Sequence, residues 1–161
     1  MTTGTRLLDY LQQIAAVDAQ FGGQLQPAAS AEAIAALYQR AQERFGYRVP
    51  AAYGHLLAIA DGVDFNGYTL YASQTQPLQG TQQLLQGFVE INEFWQEYAD
   101  NQDHHLLMFG ETGDDLYLFD QRTQSFHLTD KVSGDTYQEF ATFEAMVEQL
   151  FSSALGLEEA S

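Results

Sequence analysis

Apolar side chains recur at helical spacing in five stretches of the chain. They predict helices over about 5–21, 30–46, 50–61, 88–101 and 142–155. Ser30 suits the N-cap of the second helix and Gly46 its end, while Pro50 suits the first turn of the third. Each of these helices has one apolar face, so each needs a partner to cover it.

Between the helices, apolar and polar residues alternate in short runs that predict β-strands. The segments 63–65 and 68–71 flank Asn66-Gly67, a pair that tolerates the positive φ angles of a two-residue hairpin turn. The runs 105–110, 116–120 and 125–129 are joined by short connections, which indicate an antiparallel meander. The polar stretch 72–86 is typical of a surface loop, with room for a short helical turn.

This order of elements predicts an α+β fold, with helices packed against a mainly antiparallel sheet. At 161 residues, the chain fits one domain, 1–161. Within it, we expect an N-terminal helical pair over 5–48, an α+β core over 49–155 and a frayed tail over 156–161.

Composition excludes several classes of function. The chain has 6 Lys+Arg against 22 Asp+Glu, a balance that argues against binding nucleic acid or an anionic membrane surface. It has no cysteine, so it has neither disulfides nor thiolate chemistry. No apolar run is long enough to span a bilayer, and 5–21 lacks the continuous apolar centre of a secretory signal. We therefore expect a cytoplasmic protein.

The negative charge is unevenly distributed along the chain. Residues 1–48 carry four arginines and four acidic residues, so they are neutral overall. Residues 49–121 contain eleven acidic residues and no Lys or Arg. The whole net charge of −16 therefore arises after Arg48.

The predicted helix 88–101 concentrates this charge on one face. Its apolar arc consists of Ile91, Phe94, Trp95 and Tyr98, and its acidic face of Glu90, Glu93, Glu97 and Asp100. Like charges at this spacing destabilise a helix slightly, and the helix has no cation of its own. The face is either ordinary solvated surface or a surface shaped for a basic partner. Further acidic residues that could extend such a surface are Asp61, Asp64, Asp103, Glu111, Asp114 and Asp115.

No constellation typical of an enzyme or a metal site is present. His104 and His105 are neighbours on an extended segment, so their side chains point to opposite faces and cannot easily chelate one ion. His55 has no second ligand at helical spacing, and His127 alternates with apolar residues. A tight turn explains the glycine and aspartates of 111–115 more simply than a calcium loop does. We expect no metal, no cofactor and no catalysis.

Several short segments together resemble the SUKH superfamily, which groups bacterial immunity proteins with yeast cell-wall-assembly regulators. The segments are Pro50-Ala51-Ala52-Tyr53, Leu56-Leu57, Asp61-Gly62-Val63, Phe65-Asn66-Gly67, Leu70-Tyr71, Leu107 to Glu111, Asp115 to Asp120, and Tyr137, Phe140 and Phe143. The chain is most similar to the YrhA-like branch, and the similarity extends over about residues 7–151. Asp61 stands where the family usually has Asn.

The resemblance implies an immunity protein that binds and neutralises a cognate polymorphic toxin without catalysis. The acidic residues between 49 and 121 would face a basic groove, such as that of a nuclease or another nucleotide-handling toxin. Trp95, Tyr68 and Tyr71 could anchor the interface if they are exposed; the alternative is that they pack in the core. A regulatory scaffold or adaptor, and a small hydrolase built on clustered carboxylates, remain alternatives. The sequence leaves the oligomeric state open.

Overall fold

The computed structural model describes residues 3–98 and 105–157. The helices are α1 (Thr3–Gln20), α2 (Ala31–Phe45), α3 (Ala51–Leu57), α4 (Phe88–Tyr98) and α5 (Phe143–Ala154). The strands are β1 (Val63–Phe65), β2 (Tyr68–Leu70), β3 (Gln76–Pro77), β4 (Leu84–Leu85), β5 (Leu106–Glu111), β6 (Asp115–Asp120), β7 (Ser125–Asp130) and β8 (Thr136–Phe140). In the described part of the chain, five helices packed against an antiparallel sheet in one compact domain confirm the predicted α+β class.

Six strands form the main sheet in the order β1-β2-β5-β6-β7-β8, and every neighbouring pair is antiparallel. The predicted hairpin is confirmed as β1–β2, with φ angles of 54° at Asn66 and 85° at Gly67. The predicted meander is β5–β6–β7. β8 continues it, although its exposed and mostly polar residues gave no strand pattern.

The helix boundaries follow the predicted signals closely. The Ser30 hydroxyl accepts the Ala33 N–H at the start of α2, and Gly46 ends that helix with φ 62°. α3 is shorter than predicted, ending at Leu57. The residues after it pair with the linker between α1 and α2, since the Asp61 N–H donates to the Pro27 carbonyl.

The segment between β2 and α4 is not a loop with a helical turn. It forms the two-stranded β3–β4 sheet. The two ends of the segment lie side by side, because Ala72 and Gly87 form a β-bridge. The Ala72 N–H donates to the Gln86 carbonyl, and the Phe88 N–H donates to the Ala72 carbonyl. We call residues 72–87 the β3–β4 excursion, because the chain leaves the main sheet after β2 and returns beside its own starting point at the beginning of α4.

The core is centred on Phe109 of β5. Its ring centroid lies 4.8 Å from that of Phe88 in α4, 5.2 Å from Tyr53 in α3 and 5.2 Å from Phe143 in α5. α1 packs against α5, and buried residues of α1 and α2 belong to the same core. The N-terminal helical pair is thus part of the single domain. Residues 158–161 of the expected frayed tail lie outside the described residues.

Candidate functional site

The acidic face of α4 is paired with cations from another helix. The Glu90 carboxylate lies 3.1 Å from Nη1 of Arg40, and the Glu93 carboxylate lies 2.8 Å from Nε of Arg44. Both arginines belong to α2, so the sequence of α4 alone does not show this neutralisation. Glu97 is exposed. Glu90 and Glu93 therefore have counter-charges, although α4 itself supplies none.

The buried face of α4 also differs from the predicted one. Its centre is Asn92, which is fully buried and pairs with both the N–H and the carbonyl of Met108. At 100° per residue, this face lies well away from Phe94, whose side chain is 56% exposed. The apolar arc predicted from the sequence includes Phe94 and omits Asn92, whereas the structure exposes Phe94 and buries Asn92.

Phe94 lines a groove of about 530 Å³ between α2 and α4, together with Arg44, Phe45, Glu93 and Glu97. The groove combines an aromatic floor with a charged rim. Its arginine and Glu93 already form an ion pair with each other. Its remaining capacity to attract a cation therefore rests mainly on Glu97.

Asp61 is an interior residue, which removes it from the predicted partner-binding surface. Its side chain is 5% exposed. Oδ1 accepts the Ser73 N–H at 2.7 Å, and Oδ2 accepts the Ser73 hydroxyl at 2.8 Å and the Gln76 side-chain amide at 3.0 Å. Asp61 therefore ties the start of the β3–β4 excursion to the segment that follows α3.

Of the three candidate aromatic anchors, Tyr71 packs in the core, which is the alternative that the sequence left open. It is buried, and this burial, followed by the nearby Glu111 carboxylate, raises its pKa. Tyr68 and Trp95 are half-buried.

Five acidic residues lie at one end of the main sheet, which we call the acidic end. Its members are Glu111, Asp114, Asp115, Asp130 and Asp135. The register places Asp115 directly opposite Asp130, and Glu111 on the neighbouring strand opposite Leu116. The sequence did not select Asp130 and Asp135, because they follow the acidic run and only the pairing of β7 with β6 brings them close.

Burial and neighbouring charges shift the pKa values of two aspartates at the acidic end. The pKa of Asp115 is raised, first by burial and then by Asp114 and Asp130. Its Oδ1 is buried and makes no hydrogen bond. Asp130 has the opposite shift: N–H groups of the following turn and the Tyr137 hydroxyl stabilise its charged form and lower its pKa. Within the described residues, the only ion pair of this cluster joins Glu111 to Lys131 Nζ at 2.8 Å.

The 111–115 segment is a tight turn, as predicted. The Thr112 hydroxyl accepts the N–H groups of Asp114 and Asp115. Among residues 3–98 and 105–157, no group of three His, Asp or Glu side chains is arranged to hold a metal ion.

Asp64 lies on β1, in the same cross-strand row as Glu111, because both are opposite Thr69 of β2. Its pKa is raised by burial and then by Glu111 and Asp18. Two predicted site residues, Asp100 and Asp103, and also His104, lie outside the described residues. His127 is half-buried, as expected, and hydrogen-bonds to the Ser125 hydroxyl at 2.8 Å.

No family model matches the chain, and a search of curated proteins finds no match either. Within the described part of the chain, none of the helices has both the length and the apolar character needed to cross a membrane.

Proposed function

We propose that this chain is an immunity protein of the SUKH kind, which binds a basic toxin and blocks it without catalysis. The observation that supports this proposal is the acidic end, where carboxylates from two turns and three strands lie close together and, in the described residues, only Glu111 has a lysine partner. In this proposal the protein acts in the cytoplasm, on a toxin encoded beside it.

The acidic end suits attraction at long range. Asp114 and Asp135 are exposed, so their charges face solvent and can act on an approaching basic surface. A toxin that handles phosphates has a cationic groove, which such a surface would complement. Complementary charge mainly accelerates encounter, and it loses effect as salt screens it.

Tight retention needs an apolar contact beside the charges. The acidic end offers one, because Val132 is 96% and Tyr137 58% exposed. The Tyr137 hydroxyl donates to Asp130 Oδ2 at 2.7 Å, which holds the ring over the cluster. These two residues replace Tyr71 as the candidate apolar centre of the interface.

The proposal is tested with the toxin encoded by the adjacent reading frame, in a growth-rescue assay and by association kinetics. The Asp114→Asn, Asp135→Asn double variant should slow association about tenfold at low salt and flatten its salt dependence. Asp9→Asn, Glu43→Gln is the matched control, since it removes the same charge from exposed positions on α1 and α2.

Equal slowing by both double variants would mean that only net charge matters, and would contradict a specific role for the acidic end. Failure of the wild-type chain to bind the neighbouring product or rescue growth would overturn the proposed function itself.

A further inference from the structure

A second surface feature lies between the end of α1, the β1–β2 hairpin and the end of α5. It is a groove of about 410 Å³ that we call the α1–β1 groove. Its lining includes Val17, Asp18, Phe21, Asp64, Phe65 and Leu155. Asp18 and Asp64 also line an adjoining cavity of about 300 Å³, whose other walls carry glutamine side chains of the linker and of the β3–β4 excursion.

The floor of the α1–β1 groove is apolar and open. Phe21 is 83% exposed, and Phe65 and Leu155 are half-buried. The Phe21 backbone is fixed by a turn in which its own N–H and that of Gly23 donate to the Asp18 carbonyl. An aromatic ring held in solvent by an ordered turn is available to contact another molecule.

The shape of the groove is fixed on its other side by the hairpin. The Asn66 side-chain amide donates to the Ala154 carbonyl at 3.0 Å, which attaches the hairpin tip to the end of α5. The groove is therefore formed by three elements that are tied together, and it does not depend on a loose segment.

The two carboxylates of the groove lack counter-charges. Within residues 3–98 and 105–157, neither Asp18 nor Asp64 forms an ion pair or a side-chain hydrogen bond. Asp18 lies in the last turn of α1, where the helix dipole disfavours negative charge and no basic residue compensates. Burial raises the pKa of Asp18, and that of Asp64 is raised by burial, Glu111 and Asp18.

Such a placement is unfavourable for folding alone. Residues that break local rules without compensation within the fold are commonly functional. The arrangement of two acidic groups above an apolar floor matches a ligand that has a positive end and an apolar stem.

We propose that the α1–β1 groove binds an arginine side chain of the basic partner, with its guanidinium between Asp18 and Asp64 and its stem on Phe21 and Phe65. This inference rests on the proposed function for the source of the arginine. Arginine fits better than lysine, because its planar group stacks on aromatic rings and has five N–H donors to share between two carboxylates.

The groove can be tested without any toxin. The probe is Nα-acetyl-arginine N-methylamide, titrated into ¹⁵N-labelled protein at low salt and neutral pH. We expect saturable amide shifts confined to the end of α1, the β1–β2 hairpin and the end of α5. The uncharged citrulline analogue, which has nearly the same shape, should cause much smaller shifts. Equal shifts with both probes, or shifts centred on the acidic end, would overturn the proposal.

Two variants provide a readout that a merely structural role would not give. Asp18→Asn and Asp64→Asn should each weaken probe binding about fivefold, as expected for a partly exposed ion pair. Each should also raise the stability of the free protein, because it removes an uncompensated charge. Asp9→Asn is the control, since it removes an exposed carboxylate of α1 that lies outside the groove. Loss of stability in Asp18→Asn would contradict the argument.

The same variants separate this inference from the proposed function. If the toxin binds Asp18→Asn and Asp64→Asn as tightly as the wild type, the groove proposal is wrong and the immunity proposal stands. If no toxin binds the wild-type chain, the immunity proposal fails, and the capped-arginine titration still decides whether the groove recognises a guanidinium.

Discussion

A single buried carboxylate can hold two parts of a fold together when every oxygen has a donor. Asp61 does this for the segment after α3 and the β3–β4 excursion, because it accepts hydrogen bonds from the N–H and hydroxyl of Ser73 and from the side-chain amide of Gln76. Buried charges without partners are strongly disfavoured, so the three hydrogen bonds are a condition for its position. A surface role for Asp61 would require breaking them.

Replacing Asp61 with Ala should therefore destabilise the protein. We expect a loss of about 3 kcal/mol, because the variant leaves buried donors of Ser73 without an acceptor. Urea denaturation measures the change, with Asp114→Ala as a control whose effect should stay within about 0.5 kcal/mol. A loss of the same size in both variants would show that the hydrogen bonds at Asp61 contribute little.

Buried polar residues are also where the sequence misled us about the candidate site. A pattern of apolar positions indicates a helix but assumes that polar residues face solvent. Asn92 is an exception to that assumption. Its side-chain amide makes the hydrogen bonds to the Met108 backbone that a neighbouring strand would otherwise make. Asp61 is a second exception. The burial of both residues becomes evident only when the positions of their hydrogen-bond partners, which are distant in sequence, are known. Counter-charges such as Arg40 and Arg44 are likewise set by helix packing.

The elements with strong local signals were predicted well. The caps of α2, the β1–β2 turn and the closing helix α5 depend on residues adjacent in sequence, and their expected boundaries agree with the fold. β3 and β4 have two residues each, too few to show alternation. The stability of such short strands comes from contacts distant in sequence, which is why they were missed.

The hairpin turn offers a clean test of backbone conformation. Gly67 has φ 85° and open space around it, so Gly67→Ala should cost about 1 kcal/mol from backbone strain alone. Gly113 is the matched control, because it also lies in a turn with nothing within 4 Å but without a positive φ angle. Thermal unfolding of both variants distinguishes strain from general loss of glycine. Equal effects would argue against a strained turn.

At the scale of the whole molecule, negative charge opposes folding. Asp18, Asp64, Asp115 and Glu148 have raised pKa values, each mainly because burial disfavours the charged form. A carboxyl with a raised pKa binds more protons in the folded state, so its contribution to stability increases as the pH falls from neutral through that pKa. Asp130, whose pKa is lowered, contributes stability that is lost only as the pH falls below its ordinary range.

We therefore expect the protein to be more stable near pH 5 than at pH 7. Added salt should narrow the difference, because it screens repulsion among exposed charges. Urea titrations at both pH values, at low and high ionic strength, measure the free energy of unfolding. A stability maximum at pH 8, independent of salt, would mean that the repulsion between these carboxylates is negligible.

The β3–β4 excursion has a practical consequence. It begins and ends at Ala72 and Gly87, and its exposed tip includes Gln82, near the cavity that adjoins Asp18 and Asp64. The chain contains no cysteine, so one introduced at Gln82 would be a unique thiol for attaching a fluorescent dye. A dye at that position would lie outside the hydrophobic interior. A change in its emission can then report whether a ligand occupies the cavity beside Asp18 and Asp64.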